Sequence, residues 1–75
     1  MKEKVFKVVS QVMGVPIGEL NDDSSPDTIE AWDSIKHMNL ILALEEEFAV
    51  EFGEEDIVEM LNIQLIVETI KERLS

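Results

Sequence analysis

Asp33-Ser34-Ile35-Lys36-His37-Met38-Asn39-Leu40-Ile41-Leu42-Ala43-Leu44-Glu45-Glu46-Glu47-Phe48 is the stretch on which the fold turns. At about 100° per residue, Leu40, Ile41, Leu44 and Phe48 share an arc wide enough to be a core-facing stripe. Ile35, Met38 and Leu42 form a second apolar arc beyond Glu45. Lys36, Asn39, Glu46 and Glu47 fill the remainder. The periodicity predicts a helix over 34–48, the strongest in the chain. Asp33 or Ser34 serves as its cap, since both side chains accept hydrogen bonds from free N–H groups at a helix start. Glu45 borders the second arc, and a charge beside an exposed apolar patch is typical of an interface rim.

Upstream, residues 14–33 make a long connection that holds both prolines and two of the three glycines. Connections of this length are usually functional or disordered. Ile17, Leu20, Ile29 and Trp32 are candidate anchors that would pin this one across the bundle. Before it, Lys2–Met13 has a helical rhythm, with Val5, Val8, Val9 and Val12 on one face and Phe6 and Met13 at its margin. Valine is a mediocre helix former, so tertiary packing must hold this segment. Gly14 suits the C-terminal cap and Pro16 blocks continuation.

Downstream, Gly53 interrupts the chain. Glu54–Leu61 reads as a short helix with acids at its positive end and with Ile57, Met60 and Leu61 facing inward. Asn62 is placed to cap a last helix whose buried face is Ile63, Ile66, Val67, Ile70 and Leu74. No repeat is present, and no alternation long enough for a strand. The expected fold is all-α: a single domain over 1–75, a four-helix bundle of three main helices and a short third one, with a long first loop.

Composition narrows the function. A chain of 75 residues buries one modest core. Without cysteine it has no disulfide framework and no thiolate of its own, which fits a reducing, cytoplasmic setting. No run of 18 apolar residues suggests a transmembrane helix, and the charged N-terminus is unlike a signal peptide. The formal charge is −11, and it is unevenly spread. Lys2, Lys4, Lys7, Lys71 and Arg73 lie at the two ends, and Lys36 is the only base between residues 8 and 70. Such a surface repels nucleic acid and anionic membranes. It attracts basic proteins and speeds encounter with them. A monomer is expected.

Three constellations invite chemistry. Asn21, Asp23 and Ser25 have the opening spacing of a calcium loop, but Pro26 and Trp32 stand where that loop needs glycine and glutamate. Ser34 and His37 are one helical turn apart, yet a hydrolase also needs an orienting acid, an oxyanion hole and a cleft. His37 itself projects onto the arc of Leu40 and Leu44 and caps the core there, or else touches a group attached to Ser34. Ser34 remains. It follows a long loop, opens the most amphipathic helix and adjoins the second apolar arc. A phosphate on its oxygen would face free N–H groups and the positive end of the helix.

From Asp33-Ser34-Ile35 through Leu40-Ile41-Leu42-Ala43-Leu44-Glu45-Glu46-Glu47-Phe48 the sequence resembles the acyl carrier protein family. The likeness is to the family's Asp-Ser-Leu motif, followed by an apolar helix ending in acids and phenylalanine. Total size, acidity and the long first loop agree. The resemblance implies a carrier that is not itself an enzyme. Its Ser34, with Asp33 beside it, would receive 4′-phosphopantetheine from coenzyme A through a separate phosphopantetheinyl transferase. It further implies partner enzymes, acyl-loading ligases or synthases with basic docking surfaces, that recognise Ile35, Met38 and Leu42, bordered by Glu45 and Glu46. Asp33-Ser34-Ile35-Lys36 is also similar to peptidyl carrier domains, so an aminoacyl cargo stands beside an acyl one. The alternative is an unmodified acidic adaptor that docks a basic protein through the second arc.

Overall fold

The i, i+3, i+4 recurrence of Val5, Val8 and Val9 produces a helix, α1 (Lys2–Met13), in the computed structural model of the protein, which describes residues 2–74. Valine loses side-chain freedom in a helix, so α1 depends on burial. Val5, Val8, Val9 and Met13 all lie in the core. Gly14 then takes a left-handed conformation, φ 70°, where a side chain is disfavoured. Its N–H bonds Ser10 O at 2.9 Å, so the last turn is closed. Three further helices follow: α2 (Ser34–Phe48), α3 (Glu54–Glu59) and α4 (Ile63–Leu74). There is no strand among the described residues. The fold is the expected helical bundle with a short third helix.

The core is built where the apolar stripes meet. Leu40, Ile41 and Leu44 of α2 are buried with Val5 and Val9, and with Ile63, Ile66 and Ile70 of α4. Phe48 is only half-buried, and the Lys4 ammonium lies 6.0 Å from its ring centroid. Two residues assigned to the core lie outside it. Leu61 is 62% exposed. The helix ends before it, at Glu59, and Met60 (φ −80°, ψ 66°) makes a tight turn in which Leu61 N–H bonds Glu59 O at 2.8 Å. That inverse γ-type geometry buries Met60 and swings Leu61 out of helical phase. Leu74 is half exposed because the stripe it continues ends at Ile70, the deepest residue of the last turns.

The first loop is pinned largely by backbone. Of its four expected anchors, Ile29 and Trp32 are buried and Leu20 is half-buried. Ile17 is exposed instead. It belongs to a 3₁₀ turn, Ile17–Glu19, none of whose residues is buried. What holds the loop is the start of α4, whose first N–H groups have no partner inside their helix. Ile63 N–H donates to Ser24 O and Gln64 N–H to Asp22 O, both at 3.1 Å. Asn62 Oδ1 accepts from Leu65 N–H at 2.8 Å, the predicted cap. Lys2 Nζ reaches the Asp22 carboxylate at 2.8 Å and ties the same loop to α1.

Candidate functional site

Asp33 has extended backbone (φ −103°, ψ −173°), and its Oδ1 accepts the Lys36 N–H at 2.8 Å. Asp33 is therefore the cap of α2, and Ser34 is its first helical residue. This settles the choice that the sequence left open. Ser34 is exposed. Among the described residues its hydroxyl makes no hydrogen bond, and neither its own N–H nor that of Ile35 has a protein partner. A free hydroxyl thus stands beside two free donors at the positive end of a helix of 15 residues. That arrangement suits a phosphate ester.

A trough of about 570 Å³ opens beside Ser34. Its apolar lining comes from Trp32 and Met38 on one side and from Ile57, Val58, Met60 and Leu61 on the other. His37 crosses it. The Trp32 indole N–H donates to His37 Nδ1 at 3.0 Å, and His37 Nε2 lies 3.1 Å from the Ile57 carbonyl. Because the indole can only donate and the carbonyl can only accept, the ring is the neutral tautomer protonated on Nε2. The two rings lie nearly parallel, 23° apart. His37 thus has both ring nitrogens engaged, by Trp32 on one side and by Ile57 on the other. With both nitrogens engaged it is no general base for Ser34, so the arrangement lacks the activated nucleophile that a hydrolase needs.

Ile35, Met38 and Leu42 are 74%, 47% and 59% exposed, while Leu40, Ile41 and Leu44 are buried. The two arcs of α2 face apart as the projection predicts. Val58 and Leu61, also exposed, line the trough with Met38 and extend this apolar surface onto α3. Sequence reasoning missed both. Val58 lay off the inward face of a very short helix, and Leu61 was assigned to that face. Glu46 is exposed beside the arc. Glu45 is half-buried, and its Oε2 accepts the Phe52 N–H at 2.8 Å. Rather than standing free as a rim charge, Glu45 holds the α2–α3 loop.

α3 is fastened at its other end by Asp56. Its carboxylate accepts the Gly53 N–H at 3.1 Å and pairs with the Arg73 guanidinium of α4. The Gly53 hydrogen bond, and then Arg73, hold the Asp56 carboxyl below the usual aspartate range.

With this geometry in view, comparison with known proteins is informative. Residues 3–70 match the family described as a phosphopantetheine attachment site. An acyl carrier protein of Buchnera aphidicola is 30% identical over 74 residues, covering 97% of this chain and 92% of that protein. One from Solidesulfovibrio magneticus is 35% identical over 72 residues, covering 95% and 91% respectively. The solution structure of a holo acyl carrier protein from Geobacter metallireducens superposes with a TM-score of 0.87 at 26% identity, covering 97% of this chain and 84% of that one. Family match, near-complete coverage and a shared helical fold agree, and the chain belongs to the acyl carrier protein family of phosphopantetheine-dependent carriers.

Proposed function

We propose that Ser34 carries the 4′-phosphopantetheine arm and that the chain presents acyl groups, held on that arm, to partner enzymes. The observation that carries this reading is the unbonded, exposed Ser34 hydroxyl at the first turn of α2, inside a chain whose family is defined by such an attachment. The residues fit the group. The free N–H groups of Ser34 and Ile35 offer donors to a phosphodiester, and the trough leaves room beside it. When bound, the arm supplies the thiol that a chain without cysteine lacks.

Attachment requires Ser34 Oγ to form a bond to the β-phosphorus of coenzyme A while the pyrophosphate bridge breaks and adenosine 3′,5′-bisphosphate leaves. The Ser34 proton must go to a base. His37 is occupied, and one Asp33 oxygen is spent on the helix cap. A separate transferase would supply the base, and the chain acts as substrate rather than catalyst. Ile35, Met38 and Leu42, continued by Val58 and Leu61, form the surface on which transferase, loading ligase or synthase would dock. Glu46 and the acidic surroundings favour a basic partner. No helix of the described residues is long and apolar enough to cross a membrane, and the carrier is expected to work in the cytoplasm.

Intact-mass measurement after incubation with coenzyme A and a broad-specificity transferase tests the assignment. The wild-type chain should gain one phosphopantetheine, and Ser34→Ala none. Because Asp33 rather than Ser34 caps α2, the variant should also melt close to wild type. Full modification of Ser34→Ala would move the attachment elsewhere. An unmodified wild-type chain that still binds a basic partner would favour the adaptor reading.

A further inference from the structure

The last carbonyls of a helix have no partner within it and must find one elsewhere. In α3 the Ile57 carbonyl is such a group. Met60 N–H bonds Asp56 O at 3.1 Å and Leu61 N–H bonds Glu59 O at 2.8 Å, so neither reaches it. The partner of the Ile57 carbonyl is His37 Nε2–H, supplied by α2. α3 has only 6 residues, too few to persist without tertiary support. Met60 anchors it in the core, and Asp56 ties it to Arg73. Of these fastenings, the His37 bond is the one that spans the trough. Trp32 sets the orientation of the imidazole from the opposite side, because its indole N–H occupies Nδ1. The ring is therefore a strut, fixed at both nitrogens, between the end of the first loop and the end of α3.

We infer that His37 is a positioning residue: from α2 it sets α3 as the far wall of the trough beside Ser34, and so sets how far a cargo lying there is covered. The lining residues Trp32, Met38, Ile57, Val58, Met60 and Leu61 offer carbon surface. The indole N–H, imidazole and Ile57 carbonyl satisfy one another, while Asp33 and Ser34 add polar groups to the lining. The cargo half of this inference rests on Ser34 carrying the arm. The strut half does not, since it belongs to the unloaded chain.

Two conservative substitutions separate the bonds. Asparagine places an acceptor near the position of Nδ1 but cannot reach Ile57. Glutamine places a donor near the position of Nε2 but gives up the indole. In the unloaded chain, hydrogen exchange followed by NMR should show His37→Asn keeping the Trp32 indole protected while α3 amides exchange faster. The increase should be roughly two- to tenfold, the worth of one hydrogen bond. His37→Gln should do the reverse. Parallel loosening in both variants, or an unmoved α3 in His37→Asn, would overturn the strut.

The cargo arm of the test uses the chain loaded with octanoyl phosphopantetheine, with thioester cleavage by hydroxylamine as readout. Cleavage should be as slow on His37→Gln as on the wild type and faster on His37→Asn. Equal cleavage on His37→Asn and the wild type refutes the positioning role. Failure of the wild type to load at all refutes the carrier reading instead, and the exchange measurements still decide the strut.

Discussion

Met38 and Leu44 sit on one helix, less than two turns apart, and carry opposite duties. Leu44 is fully buried in the core, so Leu44→Ala should leave a cavity and cost about 2–5 kcal/mol. Met38 is 47% exposed and gains little from folding. Met38→Ala should barely shift the melting temperature, but it should slow transfer of the arm or cargo by partner enzymes, as loss of an interface anchor does. Thermal melts beside loading kinetics distinguish the two. Equal destabilisation would mean that the apolar surface of α2 is not a docking face. Glu45 shows the limit of single-residue reading. Its place between the arcs was legible, but its bond to Phe52 N–H was not. A change at Glu45 therefore loosens the α2–α3 loop as well as altering charge.

Helix ends decide how firmly each element is set. α2 stops at Ala49, which adopts the left-handed conformation (φ 55°) while its N–H bonds Glu45 O. A β-carbon in that region costs about 1–2 kcal/mol, whereas glycine is free there but is more disordered when unfolded, by about 0.4–1 kcal/mol. Ala49→Gly should consequently raise stability by up to about 1 kcal/mol, seen as a higher denaturant midpoint with unchanged slope. A lower midpoint would show that the methyl group contributes more by packing than it strains the backbone. α3 is set by Asp56, whose carboxyl is held below the usual range by the Gly53 N–H and Arg73. A group with a lowered native pKa adds stability that is complete above its ordinary value, here 3.8, and is lost as pH falls through the lower native value. The stability gap between wild type and Asp56→Asn should thus be constant near neutrality and close below about pH 4. A gap that persists at lower pH would assign the effect to packing.

Charge acts on the molecule as a whole. Seventeen acids oppose six bases, and the bases gather near the chain ends, where Lys2 is bound to Asp22 and Arg73 to Asp56. The remaining carboxylates repel one another across a small body, 29 by 23 by 19 Å. These dimensions place many pairs within a few Debye lengths of each other at low ionic strength. Added salt, or millimolar divalent cations acting without a dedicated site, should therefore raise the melting temperature. Among the described residues no cluster of three or more candidate ligands could hold a metal, so the rise should be gradual rather than saturating at one equivalent. No change with salt would show that the carboxylates are too dispersed to oppose folding.

The helices themselves were readable from residue order because amphipathic periodicity is a local property. The bounds of α1 and α2, the Gly14 and Asn62 caps, and the separation of Ile35, Met38 and Leu42 from the core stripe all follow from neighbours within a few turns. The place of Ser34, at the start of the one helix with two apolar faces, was legible for the same reason. What needed the tertiary structure was every group whose partner is far along the chain. Ile17 and Leu61 are apolar by composition, and only the turns around them turn them outward. The bonds of His37 were not legible, because helical phase reports direction, not distance. Its partners lie in the loop before α2 and, 20 residues away, in α3. Hydrogen bonds between remote residues exist only once the bundle has assembled, and these bonds shape the trough beside Ser34.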